Sequence, residues 1–145
     1  MKKRGFTLAE LLIVIALMAI MATVALSSFT KSQKKGRDAR RKQDLSEIKK
    51  ALEIYYQDNF KYPDALSFGG SLSHPTIQGA VYMVKIPSDP KTGLKYYYEP
   101  VDLRQGFRLY AHVEYENDSN YSGGGGDCGA KSCNFVVTSP GTALP

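Results

Sequence analysis

From Phe6 to Leu26 the chain is apolar at every position except Thr7, Glu10 and Thr23. As a helix rising about 1.5 Å per residue, that run is about 30 Å long, the thickness of a bilayer's hydrocarbon core. So long an apolar stretch reads as membrane-spanning, and any water-soluble core must come from the residues that follow. The chain has 145 residues, which leaves room for one small domain. Lys2, Lys3 and Arg4 stand directly before the run, and the bias of basic residues toward the cytoplasmic side keeps Met1 to Gly5 inside and sends the remainder outward. A secretory signal peptide, with an apolar region from Leu11 to Ala22 and cleavage near Thr23-Val24-Ala25, is the competing reading. Against it stands Glu10, whose charge within a membrane costs about 3 kcal/mol unless a partner neutralises it. A cut between Gly5 and Phe6 would create one. The new α-amine of Phe6 is a cation at the helix start, able to pair with Glu10 of a neighbouring copy, and the helix dipole also favours a carboxylate there.

Charge is unevenly placed beyond the run. Lys31 to Lys50 holds nine basic residues against three acidic, whereas Ala51 to Pro145 holds seven against ten. Basic residues beside an apolar segment read as attraction to anionic headgroups or as a solvated helix face. A nucleic-acid groove is the alternative, with Lys34, Lys35, Arg37, Arg40 and Arg41 attracting phosphates, but no aromatics are interleaved for base stacking. Nothing breaks a helix between Ser28 and the stretch from Asp58 to Pro63, where Pro63 disfavours helix at Tyr62. One helix from Phe6 to about Asn59 is therefore expected, roughly 80 Å long. In its outer half Leu45, Ile48, Leu52 and Tyr55 recur at steps of three and four, flanked by Ala51 and Tyr56, and this stripe should hold the domain. Lys42, Lys49, Lys50 and Glu53 are expected on the opposite, solvated face.

Asp64 to Thr76 reads as a surface loop containing His74, and Ala80 to Ile86 as a helical turn or a strand. Pro87 to Gly93 is a dense turn signal. Three β-rich runs follow, Leu94 to Tyr98, Phe107 to Tyr115 and Asn134 to Thr138, which predict a three-stranded antiparallel sheet on the helix and an α+β class. In the middle run Phe107, Leu109, Ala111 and Val113 alternate with Arg108, Tyr110, His112 and Glu114, so the first set should face the core and the second solvent. Glu116 to Gly126 reads as a flexible polar loop. Cys128 and Cys133 fit a single short-loop disulfide made in an oxidising compartment, or a pair of reduced thiols. The glycines are no phosphate loop, since Ala130 separates Gly129 from Lys131-Ser132 and no helix follows. For catalysis the chain offers only His74, His112 and the two cysteines, and no catalytic residue is assigned.

The segment K-K-R-G-F-T-L-A-E, from Lys2 to Glu10, closely resembles the class III signal of type IV pilins and type II secretion pseudopilins. The stretch from Arg37 to Pro63, closing on tyrosines and a Y-P turn, also resembles the corresponding part of major pseudopilins, as does the D-P turn at Asp89-Pro90. The resemblance implies a type IV pilin fold. Residues 1–5 would form a leader, 6–28 a transmembrane and assembly helix, 29–60 its amphipathic continuation, and 61–145 a loop and sheet domain. It implies that a membrane-embedded prepilin peptidase cuts between Gly5 and Phe6 and methylates Phe6. Glu10 would then dock each copy into a helical filament, served by a cytoplasmic ATPase and an inner-membrane platform. Before assembly the subunit would cross the inner membrane once with its N-terminus cytoplasmic, and afterwards belong to an extracytoplasmic or surface filament. A DNA-binding pilin of an uptake apparatus is the alternative. Glu10 leans toward a major-type subunit, since subunits at the tip often lack it in this family. Where the family commonly has a proline this chain has Ser27, so local helix melting is not carried over; Ser27-Ser28 and Gly36 are the softer points. No cofactor is required. Major pseudopilins often bind calcium in a C-terminal loop, and Glu116, Asp118 and Asp127, with Asn117 and Asn120, carry suitable oxygens, although their spacing matches no defined calcium loop and the metal stays open.

Overall fold

The computed structural model describes residues 5–121, 123 and 125–145, without the side chains of 24–27 and 116. Lys2, Lys3 and Arg4 therefore lie outside the described residues, as do the side chains of Ser27 and Glu116. The chain has one long helix, α1 (Leu8–Asn59), and five strands: β1 (Leu72–Ser73), β2 (Val81–Met83), β3 (Tyr97–Val101), β4 (Gly106–Ala111) and β5 (Phe135–Thr138). It divides into two compact units, Met1–Lys35 and Gly36–Pro145.

In the first unit every described residue from Gly5 to Lys35 is exposed, including Leu8, Leu11, Leu12, Ile13, Ile15, Leu17 and Ile20. These side chains find no cover within their own unit, and by length and composition the helix can cross a membrane. A reciprocal bond pair starts it: the Thr7 backbone N–H donates to Glu10 Oε2 (2.8 Å) while Thr7 Oγ1 accepts from the Glu10 N–H (3.2 Å). This is a capping box, which satisfies two backbone donors that a helix start leaves without partners.

In the second unit the expected stripe is buried: Leu45, Ile48, Ala51, Leu52 and Tyr55 pack with Tyr62, Ile86, Tyr96, Tyr98, Phe107 and Leu109. Each large apolar side chain removed from water there contributes roughly 1.5–3 kcal/mol. The helix stops where Phe60 turns to φ 54° and donates its N–H to the Tyr56 carbonyl at 2.8 Å, a left-handed closing position usually given to glycine.

The main sheet is antiparallel in the order β3-β4-β5, with Tyr98 opposite Leu109 and Leu109 opposite Val137. Two of its strands are shifted from the predicted runs. Leu94 makes only an isolated bridge to Gly129 while β3 extends to Val101, because the Asp102–Arg104 turn closes the β3–β4 hairpin further along. β4 ends at Ala111, well short of Tyr115. All three turn residues have positive φ, 51°, 55° and 70°, which costs non-glycine residues roughly 1–2 kcal/mol each. Bonds from Gln105 N–H to Asp102 O (3.0 Å) and Tyr62 N–H to Arg104 O (2.9 Å) hold it.

The segment expected to be a surface loop, Asp64 to Thr76, instead contributes β1, which pairs antiparallel with β2. Leu72 is buried, and Leu66 and Phe68 pack on the core, so this stretch closes one side of the domain. Ala80 to Ile86 is resolved as strand over Val81–Met83. β4 is buried on both faces. Tyr110, expected in solvent, is only 2% exposed and belongs to a second cluster with Tyr121, Cys128, Cys133 and Val136.

Candidate functional site

Gly5, Phe6 and Thr7 precede the helix in non-helical backbone, a Cβ placed on Gly5 would meet nothing within 4 Å, and Phe6 is 90% exposed. The Gly5–Phe6 peptide bond thus lies outside the helix, between two exposed residues. Glu10 lies in the first turn of the helix and takes two bonds on Oε2, from the Thr7 N–H (2.8 Å) and the Thr7 hydroxyl (2.7 Å). Sequence reasoning gave this carboxylate a partner only in a neighbouring copy, and the intrachain one was missed. Its signal, Thr followed three positions later by Glu at the head of an apolar run, was present. Among the described residues Oε1 receives no bond, so an incoming donor can be accepted without dismantling the cap.

The basic block beyond the apolar run divides into engaged and open parts. Arg41 is fully buried and grips three carboxylates: Asp89 through Nε (2.7 Å) and Nη2 (2.9 Å), Asp38 through Nη1 (2.7 Å), and Glu114 through Nη1 (3.1 Å). Arg37 forks onto Glu114 at 2.7 and 2.9 Å, and Lys91 reaches its other face at 3.0 Å. Asp38 accepts the backbone N–H groups of Glu114 and Tyr115. The hydrogen bonds from Arg37, with those from Lys91 and Arg41, hold the Glu114 carboxyl well below the usual carboxylate range. Arg37 and Arg41, two of the five residues proposed to attract phosphates, are therefore occupied inside the fold, and Glu114 is not on a wet face. The signal for this was the stripe itself, which continues from Leu45 back through Arg41 and Asp38 at the same spacing.

Nor is the face opposite the stripe simply solvated. Lys42 reaches Asp118 at 3.2 Å and lies over the Phe135 ring, Lys49 donates to the Thr138 carbonyl at 2.8 Å, and Glu53 accepts from the Tyr62 hydroxyl at 3.1 Å.

Cys128 and Cys133 are bonded to each other, with Cα atoms 5.3 Å apart, and both are buried under tyrosines. The described part of Glu116 to Gly126 is no free linker. It wraps the Tyr121 ring, whose hydroxyl accepts the Gly125 N–H at 2.8 Å, while a Cβ on Gly123 or Gly125 would come within 2.5 or 2.6 Å of that hydroxyl oxygen. Glycine is used here for close approach. Asn120 bonds both the N–H (2.8 Å) and the carbonyl (2.9 Å) of Val136, covering the outer edge of β5. Burial, with a hydrogen bond to Glu99, pushes the Tyr110 hydroxyl up to about 12.

Of the calcium candidates, Asp118 pairs with Lys42, and Asp127 pairs with Lys95 at 2.6 Å and accepts the Gly129 N–H at 2.9 Å. Among the described residues no three His, Cys, Asp or Glu side chains are grouped to hold a metal. Asn117 stays exposed in the 3-10 turn Glu116–Asp118. His112 is half-buried with Nδ1 2.8 Å from the Ser132 carbonyl, and His74 Nδ1 accepts the N–H groups of Thr76 and Ile77, so both serve local structure.

A family model described as the prokaryotic N-terminal methylation motif matches residues 1–26. The type II secretion system core protein G of Klebsiella michiganensis is 30% identical over 99 residues, covering 63% of this chain and 70% of that protein. The protein of the same name from Pectobacterium carotovorum subsp. carotovorum is 26% identical over 97 residues, 61% of this chain and 62% of its own length. The type IV major pilin protein PilA of Myxococcus xanthus is 33% identical over 63 residues, 43% of this chain and 29% of its own length. The chain thus spans less than two thirds of the length of the Pectobacterium and Myxococcus relatives. No solved structure matches it.

Proposed function

We propose, from the premise that this chain belongs to the family of the type II secretion system core protein G, that it is a membrane-anchored prepilin that polymerises into a pseudopilus or type IV pilus and catalyses nothing itself. The observation that carries this reading is the start of α1. An open Gly5–Phe6 bond stands before a capped helix whose described apolar side chains as far as Phe29 are uncovered within their own unit and whose one acidic residue in the apolar run is Glu10.

In this reading hydrolysis between Gly5 and Phe6 by a prepilin peptidase removes residues 1–5 and with them Lys2, Lys3 and Arg4. The new Phe6 amine, methylated and still cationic, meets Glu10 of the copy already in place. That ion pair is desolvated, so removing either partner leaves an uncompensated charge that costs several kcal/mol, which makes the contact a strong selector of register. Residues 6–28 form the segment that moves from lipid into the filament. Residues 29–60 carry the domain, and residues 61–145 present it outside the membrane. The platform and ATPase that extract the subunit are separate proteins.

The test is the intact mass and N-terminal residue of the chain recovered from membranes of cells containing a prepilin peptidase, with Glu10→Ala alongside. A chain beginning at methylated Phe6, and a variant processed normally but absent from filaments, are expected. Cleavage near Ala25 would instead mean a secreted soluble protein and would overturn the reading.

A further inference from the structure

We propose that Lys31, Lys34 and Lys35 form a docking surface for the phosphates of anionic phospholipid headgroups at the outer end of the membrane segment, setting how deep the subunit sits before assembly. The proposal rests on the reading of residues 6–28 as membrane-spanning. Its first support is the division of the basic block. Arg37, Arg41, Lys42 and Lys49 are engaged within the fold, whereas Lys31 and Lys34 are exposed and have no carboxylate partner among the described residues. These cations, with exposed Lys35, belong to the unit that carries the apolar run and not to the folded domain.

Position gives the second support. Spaced i, i+3 and i+4, the three lysines share one helix face. A span starting at Phe6 exhausts about 30 Å of hydrocarbon near Leu26, which puts Lys31 about 7 Å and Lys35 about 13 Å beyond it. The headgroup layer on each side is roughly 5–8 Å thick, so the Lys31 backbone lies in it and those of the other two about 5 Å beyond it. Side chains on a helix tilt toward its N-terminus, which here is the direction of the bilayer, and lysine stems extend to place their ammonium groups at phosphate level. Exposed Phe29 lies between the lysines and the hydrocarbon along the helix axis, on another side of the helix. Charge complementarity and continuity with the span thus select an anionic lipid surface. Three lysines on one helix face, with no aromatic among them, give a nucleic acid nothing to stack on.

The experiment places the full chain in phosphatidylcholine bilayers and measures, by electron spin resonance, how strongly spin-labelled phosphatidylglycerol is retained at the protein relative to spin-labelled phosphatidylcholine. At low ionic strength the expected preference for phosphatidylglycerol is about threefold or more, falling toward unity in about 1 M salt, where screening acts within about 3 Å. Lys31→Gln/Lys34→Gln/Lys35→Gln should lower it to the share that the leader contributes, the three-arginine counterpart should retain it, and Lys61→Gln/Lys131→Gln, on the other unit, should leave it unchanged. The readout is the loss on substitution, since Lys2, Lys3 and Arg4 add their own attraction while the leader is present. An unchanged ratio in the glutamine variant overturns the proposal while leaving the filament reading intact. Absence of motionally restricted lipid with either label overturns both. Duplex DNA bound by the chain and released by the same substitution, with no lipid preference, overturns it in favour of a nucleic-acid partner.

Discussion

Up to Lys35 the helix leaves every described apolar side chain uncovered, while from Gly36 onward the same helix places an arginine and an aspartate beyond the reach of water. The first stretch inverts the rule for proteins in water, and the second meets that rule's most demanding exception, a buried charge with all its partners supplied. The contrast teaches that one secondary structure serves two solvents. Up to about Ser28 the medium is taken to be lipid or neighbouring helices, and stability there comes from the capping box and from what surrounds the helix. Beyond Gly36 the medium is the domain's own core, where apolar packing and the Arg41 cluster act together.

Breaking the second half without touching the first should give the largest effect. Arg41→Ala leaves Asp38, Asp89 and the near side of Glu114 without their shared cation, and a loss of about 3–5 kcal/mol in domain stability is expected in urea unfolding. Insertion of the apolar segment into bilayers should be unaffected. If Arg41→Ala unfolds at the wild-type midpoint, the cluster is not a support of the fold. Next is the disulfide. Cys128→Ser/Cys133→Ser frees a short loop and should lower stability by about 2 kcal/mol, again in the domain alone.

Acidity and alkalinity sharpen the contrast further, because the titrating groups involved belong to the domain. Glu114 titrates below its unfolded value, so its contribution is complete above the ordinary carboxylate pKa of about 4.3 and is lost as pH falls toward its folded value. Tyr110 behaves oppositely: its folded pKa of about 12 lies above the unfolded value, so its contribution is full below pH of about 10 and disappears as pH rises through about 12. Unfolding midpoints measured across pH, with tyrosinate absorbance on the alkaline side, should show both slopes, and Glu114→Gln should flatten the acid one. The smallest change is expected at the other end of the helix. Thr7→Ala should cost about 1 kcal/mol of helix initiation, read as faster amide exchange over the first turn, with the domain's unfolding unchanged.

Where a single periodicity governed a segment, the sequence was a good guide. The stripe of Leu45, Ile48, Leu52 and Tyr55 follows from spacing, the apolar run from its length and composition, and the helix end near Asn59 from the breaker that closes on Pro63. The rest was hidden because identity and environment disagree. Arg41 and Asp38 read as solvated charges, and only carboxylates distant in the chain, Asp89 and Glu114, make their burial tolerable. Tyr110 sits at an alternating position expected to be wet, but the cover comes from Tyr121 and the cystine, further along the chain and across a glycine run that composition alone marks as linker. At the N-terminus the capping box is legible in the spacing Thr7-x-x-Glu10, although a carboxylate in an apolar run points first to a partner in another copy.

The location of the Arg41 cluster has a mechanical consequence. A tension carried along α1 from its N-terminal end passes Asp38 and Arg41 before it reaches Leu45 and the apolar stripe. The first attachments between helix and domain to bear it are therefore short ionic bonds to two separate segments, the turn at Asp89 and the chain at Glu114. A bidentate guanidinium–carboxylate pair resists sliding in its own plane, whereas apolar side chains slip past one another with little directional resistance. The domain is thus latched where a pull on the helix enters it, and the stripe behind the latch is spared the shear.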